Sequence, residues 1–371
     1  MATDEPQARG TRTGFTTGAN ATACTVAALR GLFTGLDQAE AQITLPEGQT
    51  PVFKIEWTKR EKGAVTCAAI KDGGDDPDAT HKAELRATVA LNHQPGVVRF
   101  LQGEGVGKVT LPGLGLEVGG PAINPVPRRM MAEHALAVLK AFGKEGEGVD
   151  ITVSVKDGEA IAKKTLNARL GILGGISILG RSGIVYPYST AAYVASVEQG
   201  IEVAVHQGAD TVVLTTGGLT EQFAMKLMPE LPEPAFVQMG DYVGKALDHC
   251  VKLGVKRAVL AGQMGKVTKL AQGEVHTHAR KSSVDLGMLS ELAGAAGAPA
   301  ETVDLIAKGT TARYAWELSA GQPWQQKFLD SLCAKAAKTA KDHVLEKGGA
   351  VLVESWLFDF DKGDVIGKAE A

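Results

Sequence analysis

The residues of this chain that could do chemistry fall into glycine-punctuated loops and short clusters of titratable side chains. The longest such loop is Gly174-Gly175-Ile176-Ser177-Ile178-Leu179-Gly180-Arg181-Ser182-Gly183-Ile184-Val185. Glycine lets backbone approach a ligand, and the start of a following helix offers N–H groups to an anion or a cofactor. Residues 170–216 therefore read as one βαβ unit with a ligand loop at its carboxyl edge. The spacing is neither GxGxxG nor GxxxxGK[ST], so an ordinary dinucleotide enzyme or kinase is disfavoured. The competing account is a tight βα turn that binds nothing.

Four carboxylates crowd into Asp72-Gly73-Gly74-Asp75-Asp76-Pro77-Asp78, with His81 close by. Such a cluster could hold a cation, orient a cationic group, or tune a proton transfer through like-charge coupling. Aspartate and glycine are also the best turn formers, and a solvated turn explains them equally. Pro125-Val126-Pro127-Arg128-Arg129 opens a helix, where two guanidiniums would add to the positive end of the dipole and grip carboxylates. Lys108, in a neighbouring glycine loop, is a weaker companion, and a plain surface pair is the alternative. His276 and His278 would share one face if Thr277 lies on a strand, and could act together in acid/base work. A third ligand at metal spacing is missing, so no protein-bound metal is expected. Thr16 and Thr17 precede a helix of small residues, where they could bind an anion or simply cap.

The elements that must position these groups follow from pattern. A helix is expected to about Leu32, then β-type runs at 41–46, 51–58, 64–71, 83–92 and 97–102. Glycine density over 103–120 marks loops. A helix from Pro125 to about Phe142 and a strand over 149–155 close this half. After residue 165 apolar strands alternate with helices: a helix at 188–207, a strand at 211–215, a helix from Glu221, a strand at 235–238, a helix at 241–253 and a strand at 256–261. That rhythm argues for a parallel, doubly wound sheet. Helices follow at 264–272 and 282–295, and a last strand is expected at 349–353. The fold class is α/β in two domains: an α+β mixed-sheet domain over 1–160, and a Rossmann-like three-layer domain with a helical C-terminal part over 161–371.

Composition limits the partners. The chain has 371 residues, a net charge of −3 and only 5% aromatic residues, which disfavours a nucleic-acid surface. The four cysteines show no CxxC spacing and read as reduced cytosolic thiols. The first residues lack an apolar segment and no run reaches 18 apolar residues, so neither a signal peptide nor a membrane span is expected.

Several blocks together resemble one family. They are Arg12-Thr-Gly-Phe-Thr-Thr-Gly18, Lys71–His81, Gly103-Glu-Gly-Val-Gly107, Pro121–Arg128, the Gly174–Val185 loop, Ala261-Gly-Gln-Met-Gly-Lys266 and Gly273-Glu-Val-His-Thr-His278. In order and spacing, from about residue 12 to 300, they are similar to the CbiD family, the cobalt-precorrin-5B C1-methyltransferases of cobalamin biosynthesis. The resemblance implies a cytoplasmic enzyme that moves a methyl group from S-adenosyl-L-methionine to C1 of cobalt-precorrin-5B, giving cobalt-precorrin-6A on the anaerobic-type route. On that footing Gly174, Gly175, Ser177, Gly180, Gly183, Gly217 and Gly262 are expected at the methyl donor. Thr16, Thr17, Lys108, Arg128, Arg129, Arg181, His276 and His278 are expected at the anionic tetrapyrrole, with Asp72, Asp75, Asp76 and His81 as catalytic candidates. Homo-oligomers and transient contacts with neighbouring pathway enzymes stay open. So does a non-catalytic carrier of the same intermediate. Two positions depart from the family: Ala19-Asn20 replaces the Thr-Cys common in relatives, and Arg181-Ser182 replaces a common Thr-Thr.

Overall fold

The computed structural model describes residues 10–278 and 282–371. The polar N-terminal stretch 1–9 lies outside the described residues. The chain is mixed α/β and divides into two compact units, up to Thr190 and from Ala191 onward.

In the first unit the mixed five-stranded sheet runs in the spatial order Trp57–Glu61, Ala64–Ile70, Glu84–Leu91, Val149–Val155, Val98–Gln102. Neighbours are antiparallel except the last pair. Period-two alternation sends Val149, Ile151, Val153 and Val155 inward, where they are fully buried. The helix Thr17–Thr34 packs on this sheet and against the helix Pro125–Ala141. Its run of Ala, Gly, Thr and Cys is what permits such close approach, and the helix is buried along most of its length. The Thr16 hydroxyl caps it by accepting the Ala19 N–H at 3.2 Å, and Gly35, at φ 71°, ends it in the left-handed region.

In the second unit the sheet order is Phe236–Gln238, Thr211–Thr215, Arg257–Gly262, Leu352–Phe358, Val365–Glu370. The first four strands are parallel and the last is antiparallel. Both faces are covered, which is why these strands read as continuous apolar runs. Val212, Leu214, Ala258 and Leu260 face a core shared with the helices Val243–Lys252, Met264–Ala271 and Gln325–Glu346. Val213, Val259 and Ala261 face Phe223 and Ala224 of the helix Gly218–Leu227. The expected strand at 349–353 lies instead at Leu352–Phe358 and turns back into Val365–Glu370. A buried Asp359, accepting the N–H groups of Lys362 (2.9 Å) and Gly363 (2.5 Å), forms the unanticipated turn.

The segment 161–190, expected in the second domain, pairs its two short strands with the first unit. Ile172–Leu173 pairs antiparallel with Lys108–Val109, and Ile184–Val185 pairs antiparallel with Gly14–Phe15. Residues 170–216 are therefore not one βαβ unit, and the 174–185 loop is not the carboxyl edge of the parallel sheet. Three of its glycines, at 175, 180 and 183, serve packing. A Cβ on Gly175 would stand 2.2 Å from the Gly105 carbonyl oxygen, which a Cβ on Gly158 would also meet at 2.2 Å. Gly175→Ala should therefore lower the melting temperature of the protein, an overpacking cost of about 1–3 kcal/mol. An unchanged melting curve would return this glycine to ligand binding alone.

Candidate functional site

The first unit gathers its titratable cluster around the segment 12–18. The Arg12 guanidinium donates to Asp72, at 3.0 Å through one of its two contacts, while its own amide donates to Asp75 Oδ2 at 2.8 Å. Asp75 N–H returns a bond to the Arg12 carbonyl at 2.9 Å, and Phe15 N–H donates to the Asp72 carbonyl at 2.8 Å. The Arg12 hydrogen bonds, aided by the Gly74 N–H, bring the Asp72 carboxyl down to about 2. Asp76 Oδ1 accepts the Tyr188 amide at 2.8 Å. Lys71 is 1% exposed and donates to Asp78 at 2.6 Å, while Asp78 also accepts the Thr80 N–H and hydroxyl, each at 2.7 Å. Burial works to raise the Asp78 carboxyl, but Lys71 and Thr80 together hold it below its ordinary value. Each of the four aspartates thus anchors a loop, with the Asp72 side chain still 52% exposed.

His81 accepts the Gly73 N–H on Nδ1 at 3.0 Å. That bond places the ring proton on Nε2, so His81 presents a donor and not a base.

The glycine loop lies directly against this segment. Thr16 N–H donates to the Gly183 carbonyl (3.0 Å) and Gly18 N–H to the Leu179 carbonyl (3.1 Å). Thr17 Oγ1 accepts the Leu179 N–H at 2.9 Å. A Cβ on Gly180 would strike Thr16, and one on Gly183 would strike Leu45. Ser177 is buried, its hydroxyl donating to Asn167 at 3.3 Å. Gly174 has open space where a Cβ would stand, and Arg181 is exposed. Thr16, Thr17, Asp72, Asp75, Asp76, His81, Gly180 and Gly183 are thus brought together around one short strand.

Three expected substrate groups of this unit lie elsewhere. Arg128 is turned inward: its Nε donates to the Ile123 carbonyl (2.8 Å), an Nη donates to Pro121 (3.1 Å), and the guanidinium lies over Phe100. Burial lowers its pKa, and it does not offer the expected two-pronged grip on a carboxylate. Arg129 is exposed, 3.9 Å from Glu133, and Lys108 is exposed at a strand end.

The second unit brings its groups to the carboxyl edge of the parallel sheet. Gly217 precedes the helix Gly218–Leu227, and Gly262 ends the neighbouring strand, with Thr216 N–H donating to Ala261 at 3.1 Å. Connections leave these two adjacent strands toward opposite faces, which makes this edge a topological switch point. Gln238 donates to the buried Glu221 at 2.7 Å. Lys266 donates to Asp241 Oδ1, which also accepts the Thr277 hydroxyl at 3.2 Å. Burial pushes the Asp241 carboxyl up, yet Lys266 and Thr277 hold it below its ordinary range. His276 and His278 are not on a strand, since residues 275–278 are irregular. Their rings are 6.3 Å apart all the same, and His276 lies 4.8 Å from the Tyr242 ring. Sequence spacing missed Glu221, Gln238, Asp241 and Tyr242. The signal for them was position alone, at or beyond the carboxyl ends of the predicted strands.

Among the described residues no group of three or more His, Cys, Asp or Glu is placed to hold a metal ion. No described helix is long and apolar enough to cross a membrane.

Comparison with known proteins shows the family. Residues 4–187 match the CbiD family model, and residues 276–370 match the model of the CbiD C-terminal domain. A protein of Polaromonas sp. named cobalt-precorrin-5B C(1)-methyltransferase is 52% identical, the match covering 92% of this chain and 93% of that one. A Geobacillus sp. protein of the same name is 47% identical over 96% of each chain. A crystal structure of the cobalamin biosynthesis protein cbiD from Archaeoglobus fulgidus is 28% identical, covers 73% of this chain and 84% of its own, and has a TM-score of 0.39. The chain belongs to the CbiD family.

Proposed function

We propose that this protein methylates cobalt-precorrin-5B at C1, giving cobalt-precorrin-6A, with S-adenosyl-L-methionine as donor. The observation that carries the assignment is 52% identity over 92% of the chain to a relative named for that reaction. In the transfer the donor's S–CH3 bond breaks and sulfur keeps its electron pair. A ring carbon supplies the pair for the new C–C bond. The protein's part is placement, for which effective concentration alone offers about 7–11 kcal/mol at best.

The donor sits, in the Rossmann manner, at the switch point beside Gly217 and Gly262. The anionic arms of the corrinoid lie on exposed cations of the first unit, Arg181 foremost, with Lys108 and Arg129 as further contacts. The loop 174–183 supports Arg181 and does not itself cradle the donor, because Gly175, Gly180 and Gly183 are packed against protein. His81 donates through Nε2, and Asp72 stays ionised across the working range because Arg12 holds it.

Incubating the purified protein with cobalt-precorrin-5B and methyl-labelled donor should put label into the ring, whereas a carrier would bind the pigment and transfer nothing. Arg181→Ala should raise KM for the corrinoid about ten-fold, one lost charge-assisted contact, and leave KM for the donor within two-fold. Equal effects on both would remove Arg181 from the substrate site. The pH dependence follows from Asp72. A carboxyl held at about 2 contributes its stabilisation above the ordinary carboxylate range and loses it only as pH falls through that value. Activity between pH 5 and 8 should therefore carry no Asp72 titration, and Asp72→Asn should lower activity without changing the shape of that profile. A profile limb that disappears in Asp72→Asn would make Asp72 an acid/base group after all.

A further inference from the structure

The carboxyl edge of the second unit's sheet carries a constellation built for more than an anion. The strand Thr211–Thr215 lies between Phe236–Gln238 and Arg257–Gly262. Asp241 follows the first of these flanking strands, and Lys266 belongs to the helix that follows the second. Their ion pair therefore joins the connections that follow the two strands flanking the central one. Both bonds to the Asp241 carboxylate, from Lys266 and from Thr277, fall on Oδ1. Oδ2 takes neither of these two bonds, and the charge of His278 also acts on the carboxylate. An aromatic wall stands beside it. Tyr193 and Tyr242 are 5.4 Å apart, and Tyr193 donates to the Gln238 carbonyl at 3.3 Å. The Tyr193 hydroxyl reaches over Gly240, which has φ +60°, and a Cβ there would stand 2.6 Å from it. Tyr193 is 41% exposed.

We infer that Asp241 is the ribose-binding carboxylate of a nucleoside subsite and that Tyr193 is the platform for the base. A carboxylate beyond the second strand of a βαβ unit, on the glycine-turn side of the sheet, is where vicinal hydroxyls are received in doubly wound folds. Here Asp241 lies 24 residues after Gly217. Lys266 and Thr277 fix the carboxylate through one oxygen and leave the other for hydroxyl donors. Tyr193 offers a flat surface at the rim, with its own hydroxyl tied back to the backbone, so the ring is pre-oriented for stacking. Glu221 is occupied differently, its carboxylate held by Gln238, and serves to position that amide. The subsite deepens the function proposed above and rests on its adenosyl donor.

The test is calorimetric titration of the full chain with S-adenosylhomocysteine and with its 2′-deoxy and 3′-deoxy analogues. The wild-type protein should lose about ten-fold or more in affinity when a hydroxyl is removed, since a site built to bond a hydroxyl rejects the analogue that lacks it. Asp241→Asn should bind the parent ligand about ten-fold more weakly and lose that discrimination. Tyr193→Ala should weaken all three ligands together and keep the discrimination. A wild-type protein indifferent to both hydroxyls overturns the inference without any variant, so a misfolded Asp241→Asn cannot shelter it. Asp241→Asn with wild-type affinity and unchanged KM for the donor also overturns it, while leaving the methyl transfer intact. If the wild-type protein neither binds adenosylhomocysteine nor transfers label, the donor assignment and the subsite fall together.

Discussion

The first unit hangs on one short piece of backbone, residues 12–18. Arg12 ties it to Asp72 and Asp75, Phe15 N–H bonds the Asp72 carbonyl, and Thr16 and Gly18 bond the 179–183 loop from the other side. The strand Gly14–Phe15 is only two residues long, yet two loops far away in sequence are registered on it. No room exists for side chains at this junction. A Cβ on Gly14 would lie 2.2 Å from the Gly73 carbonyl carbon, and one on Gly74 would lie 2.3 Å from the Arg12 carbonyl oxygen. The buried helix that follows depends on the same segment, because Thr16 is both its cap and a partner of the 183 carbonyl.

This constraint explains why the acidic cluster behaves as it does. Four carboxylates close together repel, and the cheapest relief would be protonation of one of them. The fold offers each a separate donor instead: a guanidinium for Asp72, a backbone amide for Asp75 and another for Asp76, and a buried ammonium for Asp78. Two of the carboxylates meet cations and the other two accept backbone amides, and these ties fix the loop around His81. Lys71 is the part of this device that a sequence hides best. A lysine next to an aspartate-rich turn looks solvated, but it is 1% exposed, which is tolerable only because Asp78 completes the pair.

What the sequence disclosed, and what it hid, divides along the same physical line. Periodicity is local, so the strand 149–155, the helix 125–141 and the strand–helix alternation after 211 were all legible to within a few residues. Pairing is not local. The run 172–185 contains enough apolar residues to look like a strand feeding a helix, but glycines at 174, 175, 180 and 183 cut it into two-residue strands that pair backwards with Lys108–Val109 and Gly14–Phe15. The same limit affected the arginines. Arg128 and Arg129 look equivalent on a helix start, and only tertiary contact shows that one is spent on carbonyls while the other is exposed. His276 and His278 came close together for a reason other than the alternation of a strand, since their segment is irregular.

The groups around residues 12–18 are committed as hydrogen-bond partners. Asp72 is held ionised at about 2 by Arg12, and His81 already carries its proton on the outward nitrogen. The four cysteines are all buried, and burial pushes the Cys250 and Cys333 thiols up to about 12, so thiolate chemistry is closed as well. What the chain does provide is fixed hydrogen-bond donors, an exposed cation, Arg181, on a packed loop, and a carboxylate bonded by Lys266 and Thr277 beyond the end of a parallel sheet. That equipment suits the methyl transfer proposed above, whose reactants are already reactive and need only be held: a sulfonium with a good leaving group and an electron-rich ring. For that proposed reaction, rigidity maintained by glycines too crowded to replace matters because displacement at the methyl carbon tolerates little error in the approach of the two partners.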